Sequence, residues 1–216
     1  MRLFLDSINS DEIRKYNALG AVDGITTNPS LMSKSEDDFY TTAAKLCGLI
    51  SGDVSIEVAS NEFKEMIKEG EKILNVAPNV VIKLPITWDG IRACRYFAHN
   101  NHKVNMTLCF SPSQALIAAK AGATYVSPFI GRLDDIGEDG MKLIEDIRTI
   151  YDNYQYKTQI LAASIRNVDH VNCAALSGAD VATIPVKIMS ELVKHPLTDK
   201  GLGQFNQDWL DSGMKI

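Results

Sequence analysis

Eight times along this chain a short run rich in β-branched residues is followed by a longer stretch of helical periodicity. The runs lie at 3–6, 24–27, 54–59, 80–85, 104–109, 124–127, 159–163 and 181–184, and amphipathic stretches such as 62–74 and 141–151 lie between them. A strand that returns through a helix to a second strand runs parallel to the first, by a right-handed crossover. Eight such units in 216 residues fit a closed (β/α)8 barrel, the α/β TIM-barrel class, as one domain over 1–216. An open, doubly wound sheet is the competing arrangement.

Punctuation supports this parse. Asn61 is expected to cap the helix over 62–74, and Ser111-Pro112 to open one that runs through Lys120 and stops at Gly122. Past the eighth unit, residues 198–213 predict an extra C-terminal helix. Phe205 and Trp209 share one of its faces, for packing on this subunit or a neighbouring one.

Composition excludes several classes. A net charge of −5, with no basic run interleaved with aromatics, argues against nucleic acid. No apolar run approaches the ~20 residues that span a membrane. The opening Met1-Arg2-Leu3-Phe4-Leu5-Asp6 reads as a strand rather than a signal segment, because Asp6 interrupts its apolar stretch. Cys47, Cys94, Cys109 and Cys173 are scattered, which suits reduced thiols in a cytoplasmic protein. His99 and His102 are close together, but their surroundings read as a polar helix end, so no metal is expected.

Within this frame one residue stands out. Lys83 interrupts the apolar run Val80-Val81-Ile82-Lys83-Leu84-Pro85. A lysine in an apolar strand either snorkels to water or has a use. Desolvation disfavours an ammonium group, and a neutral amine can form a Schiff base with a carbonyl substrate.

Strand alternation sharpens the point, because every second residue of a barrel strand faces inward. If Val80, Ile82 and Leu84 face the helices, Lys83 faces the interior. The same rule turns Asp6, Glu57, Asn105 and Thr107 inward, while Ser127, Ser164 and Arg166 sit at or just after strand ends. Active sites of this fold lie at the C-terminal strand ends. Interior charges cost several kcal/mol each unless paired, so an amine with two carboxylates reads better as a catalytic set than as filler. Arg132, in the loop Gly131-Arg132-Leu133-Asp134, and Arg166, beside Ser164, suit a phosphate dianion; surface salt bridging is the alternative.

These residues resemble those of the transaldolases, in particular the short single-barrel subfamily related to fructose-6-phosphate aldolases. The resemblance runs over essentially the whole chain. It is carried by Gly24-Ile25-Thr26-Thr27-Asn28-Pro29-Ser30, Val81-Ile82-Lys83-Leu84-Pro85, Asn105-Met106-Thr107-Leu108, Ser127-Pro128-Phe129-Ile130-Gly131-Arg132, Ala162-Ala163-Ser164-Ile165-Arg166 and His195-Pro196-Leu197-Thr198-Asp199-Lys200-Gly201. It implies a class I aldol mechanism without metal or organic cofactor. A dihydroxyacetone unit would pass from sedoheptulose 7-phosphate or fructose 6-phosphate to glyceraldehyde 3-phosphate or erythrose 4-phosphate, the exchange of the pentose phosphate pathway.

By the same resemblance Lys83 is the Schiff-base residue and Asp6 the acid/base, while Glu57 and Thr107 position a water. Asn28 and Asn105 hold the dihydroxyacetone unit, Thr26 and Ser127 line its pocket, and Arg132, Ser164 and Arg166 bind phosphate. The aldolase relatives typically carry glutamine where this chain has Glu57 and tyrosine where it has Phe129, so both positions side with transaldolase. Ser7-Ile8-Asn9 departs from the more usual threonine-alanine-asparagine, which bears on the shape of the entrance. Ring-like homo-oligomers, pentamers or decamers, are implied. The rival readings are an aldolase releasing free dihydroxyacetone and a non-catalytic sugar-phosphate-binding barrel.

Overall fold

The computed structural model describes residues 1–215. Its strands are β1 (Arg2–Asp6), β2 (Gly24–Thr26), β3 (Asp53–Glu57), β4 (Val80–Pro85), β5 (Val104–Cys109), β6 (Tyr125–Pro128), β7 (Gln159–Ala162) and β8 (Val181–Pro185). All pair in parallel in sequence order, and β8 returns to β1, so the sheet is a closed barrel rather than an open one. The helices are α1 (Ser10–Ala18), α2 (Pro29–Met32), α3 (Phe39–Leu49), α4 (Phe63–Leu74), α5 (Trp88–His99), α6 (Pro112–Ala121), α7 (Ile130–Asp134), α8 (Gly140–Tyr154), α9 (Val168–Leu176), α10 (Val186–Glu191) and α11 (Pro196–Ser212). No helix among the described residues is long and apolar enough to cross a membrane.

Strand alternation divides the apolar residues into two bodies. Leu5, Ile25, Val54, Ile56, Ile82, Leu84, Met106 and Val126 face outward and pack with the helices in a continuous annulus. Phe4, Val81, Tyr125, Leu161, Ala163 and Val181 face inward and fill the barrel below the strand ends. Each fully buried aliphatic or aromatic side chain contributes roughly 1.5–3 kcal/mol. The inner plug therefore stabilises the fold and gives the polar layer above it a solid floor. Beneath the plug, the Tyr125 hydroxyl donates to Asp53 Oδ2 at 2.7 Å and Lys103 Nζ donates to Asp53 Oδ1 at 2.8 Å, which closes the opposite end.

Several local expectations are corrected. Asn61 does not cap α4: Glu62 occupies that position without a side-chain bond, and the Phe63 N–H is taken by Asp89 Oδ2 at 3.1 Å. A carboxylate from the next unit replaces the local cap. The stretch from Gly131 to Asp134 is not a loop but most of α7. The C-terminal helix begins at Pro196 rather than residue 198, with the His195 side chain accepting from the Leu197 N–H. No residue of α11 is buried, and Phe205 and Trp209 are 71% and 44% exposed, so their shared face does not pack on this barrel. The Ser111 cap of α6 and the left-handed stop at Gly122 (φ +93°) are found as expected.

His99 closes α5, and the His102 ring lies edge-on to Phe97. Cys47, Cys94 and Cys109 are buried and Cys173 is exposed. Burial pushes the three buried thiols up to about 11, 12 and 12 respectively.

Gly24 is the inward residue of β2 beside Phe4. A Cβ there would lie 2.5 Å from the Phe4 ring and 2.7 Å from the Asp53 carbonyl oxygen. Gly24→Ala should therefore destabilise the barrel by roughly 1–3 kcal/mol through overpacking, with a Tm drop of about 2–4 °C per kcal/mol. Thermal unfolding of the two proteins checks this, and an unchanged Tm would mean that the Phe4 ring has room to move.

Candidate active site

Above the plug, inward residues from successive strands meet in a cavity of about 450 Å³ at the C-terminal strand ends. Eleven of the twelve residues singled out from the sequence line it: Asp6, Thr26, Asn28, Glu57, Lys83, Thr107, Ser127, Phe129, Arg132, Ser164 and Arg166. The twelfth, Asn105, is fully buried and not on the wall. Its carbonyl accepts from Ser127 Oγ at 2.7 Å and its amide donates to Ser55 Oγ at 3.2 Å. None of Ser7, Ile8 and Asn9 is on the wall either. Asn9 is spent capping α1, and Ser7 Oγ accepts from the Asn9 N–H.

Register places the central pair. Glu57 and Lys83 are direct neighbours across β3 and β4, and both face inward. Lys83 Nζ is 2.9 Å from Glu57 Oε2, with only 6% and 14% of the two side chains exposed. It also donates to the Thr27 carbonyl at 2.8 Å. The buried ammonium is thus compensated by one carboxylate and one carbonyl dipole, as a charge so placed requires. It does not snorkel. The loop leaving β3 is held by Glu69, which accepts from the N–H groups of Ala59 and Ser60 at 2.8 and 3.0 Å, so the end of β3 is fixed.

Asp6 faces the pair from β1. Desolvation raises its carboxyl above the usual range, and the nearby Glu57 charge adds to the rise. The Thr26 hydroxyl, the Lys83 charge and the Asn28 amide pull the other way without cancelling it. Thr26 Oγ1 donates to Asp6 Oδ1 at 2.9 Å. Asn28 is the cap of α2, its Oδ1 accepting from the Leu31 N–H at 3.0 Å, which leaves the amide nitrogen to serve Asp6.

On β5 the register shifts between Met106 and Cys109, and Leu108 takes φ +61°. This bulge re-aims the strand end at the cavity. Thr107 Oγ1 is buried there with no hydrogen-bond partner among the described residues. An orphaned buried hydroxyl costs about 1–3 kcal/mol, so it marks a group shaped for something other than folding.

The far side carries two arginines and a serine. Ser164 sits at φ +62°, an unfavourable conformation for a non-glycine residue, in the turn leaving β7. Arg132, on α7, lies over the Phe129 ring at 5.0 Å, and Arg166 Nη2 donates to Asp135 Oδ2 at 2.8 Å. Gly131 lets α7 approach that turn: a Cβ would fall 2.1 Å from the Ser164 carbonyl oxygen and 2.7 Å from Arg166 Cγ. His170 completes the support, its Nδ1 accepting from the Arg166 N–H at 3.3 Å and its Nε2 lying 3.0 Å from Asp134 Oδ2.

Among the wall residues that sequence reasoning missed are Leu108 and Thr183. Thr183 was legible, being the inward residue of β8. Leu108 was not, because a bulge leaves no compositional trace. Among the described residues, no group of three or more His, Cys, Asp or Glu side chains is placed to hold a metal ion. What the arrangement offers chemically is an amine, two carboxylates with different surroundings, an unpartnered hydroxyl and a cationic rim.

Comparison with known proteins gives a consistent result. The family described as transaldolase/fructose-6-phosphate aldolase matches residues 3–215. Proteins named probable transaldolase from Brucella anthropi, Caulobacter vibrioides and Paracoccus denitrificans are 57%, 56% and 54% identical, each over 100% of both chains. A solved thiamine phosphate pyrophosphorylase from Pyrococcus furiosus superposes with a TM-score of 0.59 at 15% identity, covering 88% of this chain and 93% of its own; this likeness is one of fold alone.

The raised Asp6 carboxyl yields a stability prediction. Below its unfolded pKa of about 3.9 the carboxyl is neutral in both states and the burial penalty is absent. As pH rises through the higher folded value, the native state must hold a charge it disfavours. Asp6→Asn should therefore be more stable than the wild type near neutral pH, with the gain shrinking towards about pH 4. Denaturant unfolding at the two pH values measures it. A gain independent of pH would assign the effect to packing instead.

Proposed function

The chain belongs to the transaldolase/fructose-6-phosphate aldolase family, and on that premise we propose that it is a transaldolase working through a Schiff base on Lys83. The observation that carries this reading is the 2.9 Å contact between Lys83 Nζ and a carboxylate, Glu57, inside the cavity. Glu57 is placed to take the ammonium proton and free the amine. The amine adds to the ketone of fructose 6-phosphate or sedoheptulose 7-phosphate, and the carbinolamine loses water to give an iminium. Proton movements in these steps fall to Glu57 and a water held by the unpartnered Thr107 hydroxyl.

Asp6 then takes the proton from the hydroxyl next to the bond that breaks. The electron pair of that carbon–carbon bond flows into the iminium and leaves an enamine on Lys83, and an aldose phosphate departs. Glyceraldehyde 3-phosphate or erythrose 4-phosphate enters as acceptor, the enamine carbon attacks its aldehyde, and Asp6 returns the proton. Arg132, Arg166 and Ser164 hold the phosphate; Asn28 and Ser127 hold the three-carbon unit, with Asn105 backing Ser127. No step requires a metal or organic cofactor.

Whether the enamine is transferred or released depends on water and proton supply. Phe129 lines the cavity with no hydroxyl to protonate the enamine or fix a hydrolytic water, and it packs edge-on to Phe110 at 5.8 Å. Together with a carboxylate at 57, this favours transfer. The exposed apolar face of α11 supports assembly into a homo-oligomer; a pentamer or decamer, working in the cytoplasm within the pentose phosphate pathway, is the form this reading takes from the family.

The decisive assay is fructose 6-phosphate turnover with and without erythrose 4-phosphate. Acceptor-dependent appearance of glyceraldehyde 3-phosphate and sedoheptulose 7-phosphate is expected, together with a borohydride-trapped mass adduct on Lys83. Acceptor-independent release of dihydroxyacetone would make it an aldolase, and a missing adduct would remove the Schiff base. Glu57→Gln combined with Phe129→Tyr should raise dihydroxyacetone release relative to transfer by about tenfold, the worth of one well-placed hydrogen bond to water or enamine. An unchanged product ratio would place specificity elsewhere.

A further inference from the structure

Thr183, on β8, lines the cavity at 6% exposure and has no part in the scheme above. Its Oγ1 is 2.5 Å from Thr26 Oγ1, and the Thr26 hydroxyl is already committed as donor to Asp6 Oδ1 at 2.9 Å. A hydroxyl carries one hydrogen, so with Asp6 ionised Thr183 is the donor to Thr26. Three neighbouring strands thus form one directed chain, from β8 through β2 to β1, ending on the carboxylate. Barrel closure fixes it: Thr183 is in register with Phe4, two residues before Asp6, and Thr26 is in register with Asp6.

We propose that Thr183 is a positioning residue for Asp6, polarising the Thr26 hydroxyl that holds Oδ1 so that the carboxylate is oriented to take and return the substrate proton. The inference rests on the reading of Asp6 as the acid/base. Hydrogen bonds in a chain strengthen one another, and a donor aimed at a carboxylate favours the ionised form over the neutral one. Desolvation works in the opposite sense on Asp6, so the chain offsets part of it. The charged groups facing Asp6 are Lys83 from β4 and Glu57 from β3. On the cavity wall β2 and its following turn present Thr26 and Asn28, β8 presents Thr183 and Pro185, and α10, packed beside β1, contributes nothing.

The test compares wild type, Thr183→Val and Thr183→Ser in the pH profiles of kcat and KM for transfer. Borohydride trapping at Lys83 and NMR titration of the 13C-labelled Asp6 carboxyl accompany each. Valine keeps the shape and deletes the donor. It should move the acid limb of kcat and the Asp6 titration to higher pH and lower kcat about three- to tenfold on that limb, with KM within about twofold. Serine should restore the wild-type profile. If Thr183→Val does not fold, Thr183→Ala is read in the same way.

An Asp6 titration that coincides in wild type and the donor-less variant overturns the inference, even if the wild type transfers and traps normally. A wild type that forms no adduct overturns the functional reading instead. A titration shift seen there would still support the Thr183–Asp6 coupling, because the NMR readout does not depend on turnover.

Discussion

Everything at the top of this barrel depends on one constraint: eight parallel strands close on themselves, so inward and outward residues keep a single parity all the way round. Lys83 faces Glu57 because the two share a register position on adjacent strands, and Asp6 meets Thr26 for the same reason. A slip of one residue in any strand would send its polar member into the helix-facing annulus and an aliphatic residue into the cavity. The hydrophobic pattern that folds the chain is therefore also the device that assembles the site. The inner plug of Phe4, Val81, Leu161 and Val181 sets the depth at which the charges sit.

Within that polar layer the carboxylates are not equivalent. Glu57 is tied to the ammonium and compensates it directly. Asp6 is held by a hydroxyl, and burial raises it despite the nearby positive charge. Identical chemistry in different surroundings lets one cavity hold both a partner for the amine and, on the proposed function, a group that exchanges protons with substrate. The cost is a native state that carries an uncomfortable charge and an orphaned hydroxyl at Thr107. Both are stability losses that a purely structural barrel would not keep.

Much of this was legible before any coordinates. The eight strands, their order and the inward set Asp6, Glu57, Lys83, Asn105 and Thr107 follow from alternation, which is a local property. What escaped is non-local or conformational. Asn61 looked like a cap because caps are read from neighbouring residues, whereas Asp89 reaches Phe63 from another unit. The residues after Phe129 looked like a loop because a five-residue helix has too little periodicity to register. The bulge at Leu108 and the left-handed Ser164 are backbone states that residue types do not advertise. Asn105 has the expected parity but is buried behind Ser127, since parity tells which way a side chain points and not how deep it lies.

The burial of the thiols has a consequence for chemical selectivity. On the proposed function an aldehyde substrate would meet every accessible nucleophile of the enzyme, and a thiolate adds to an aldehyde readily. Cys109 ends the strand that carries Thr107, yet it faces outward into the annulus, and like Cys47 and Cys94 it is held protonated at neutral pH. Cys173, the exposed thiol, lies on α9 and is not on the cavity wall. The barrel thus sets its thiols apart from the Lys83 amine, and on the proposed function an aldehyde in the cavity would meet a single kind of nucleophile.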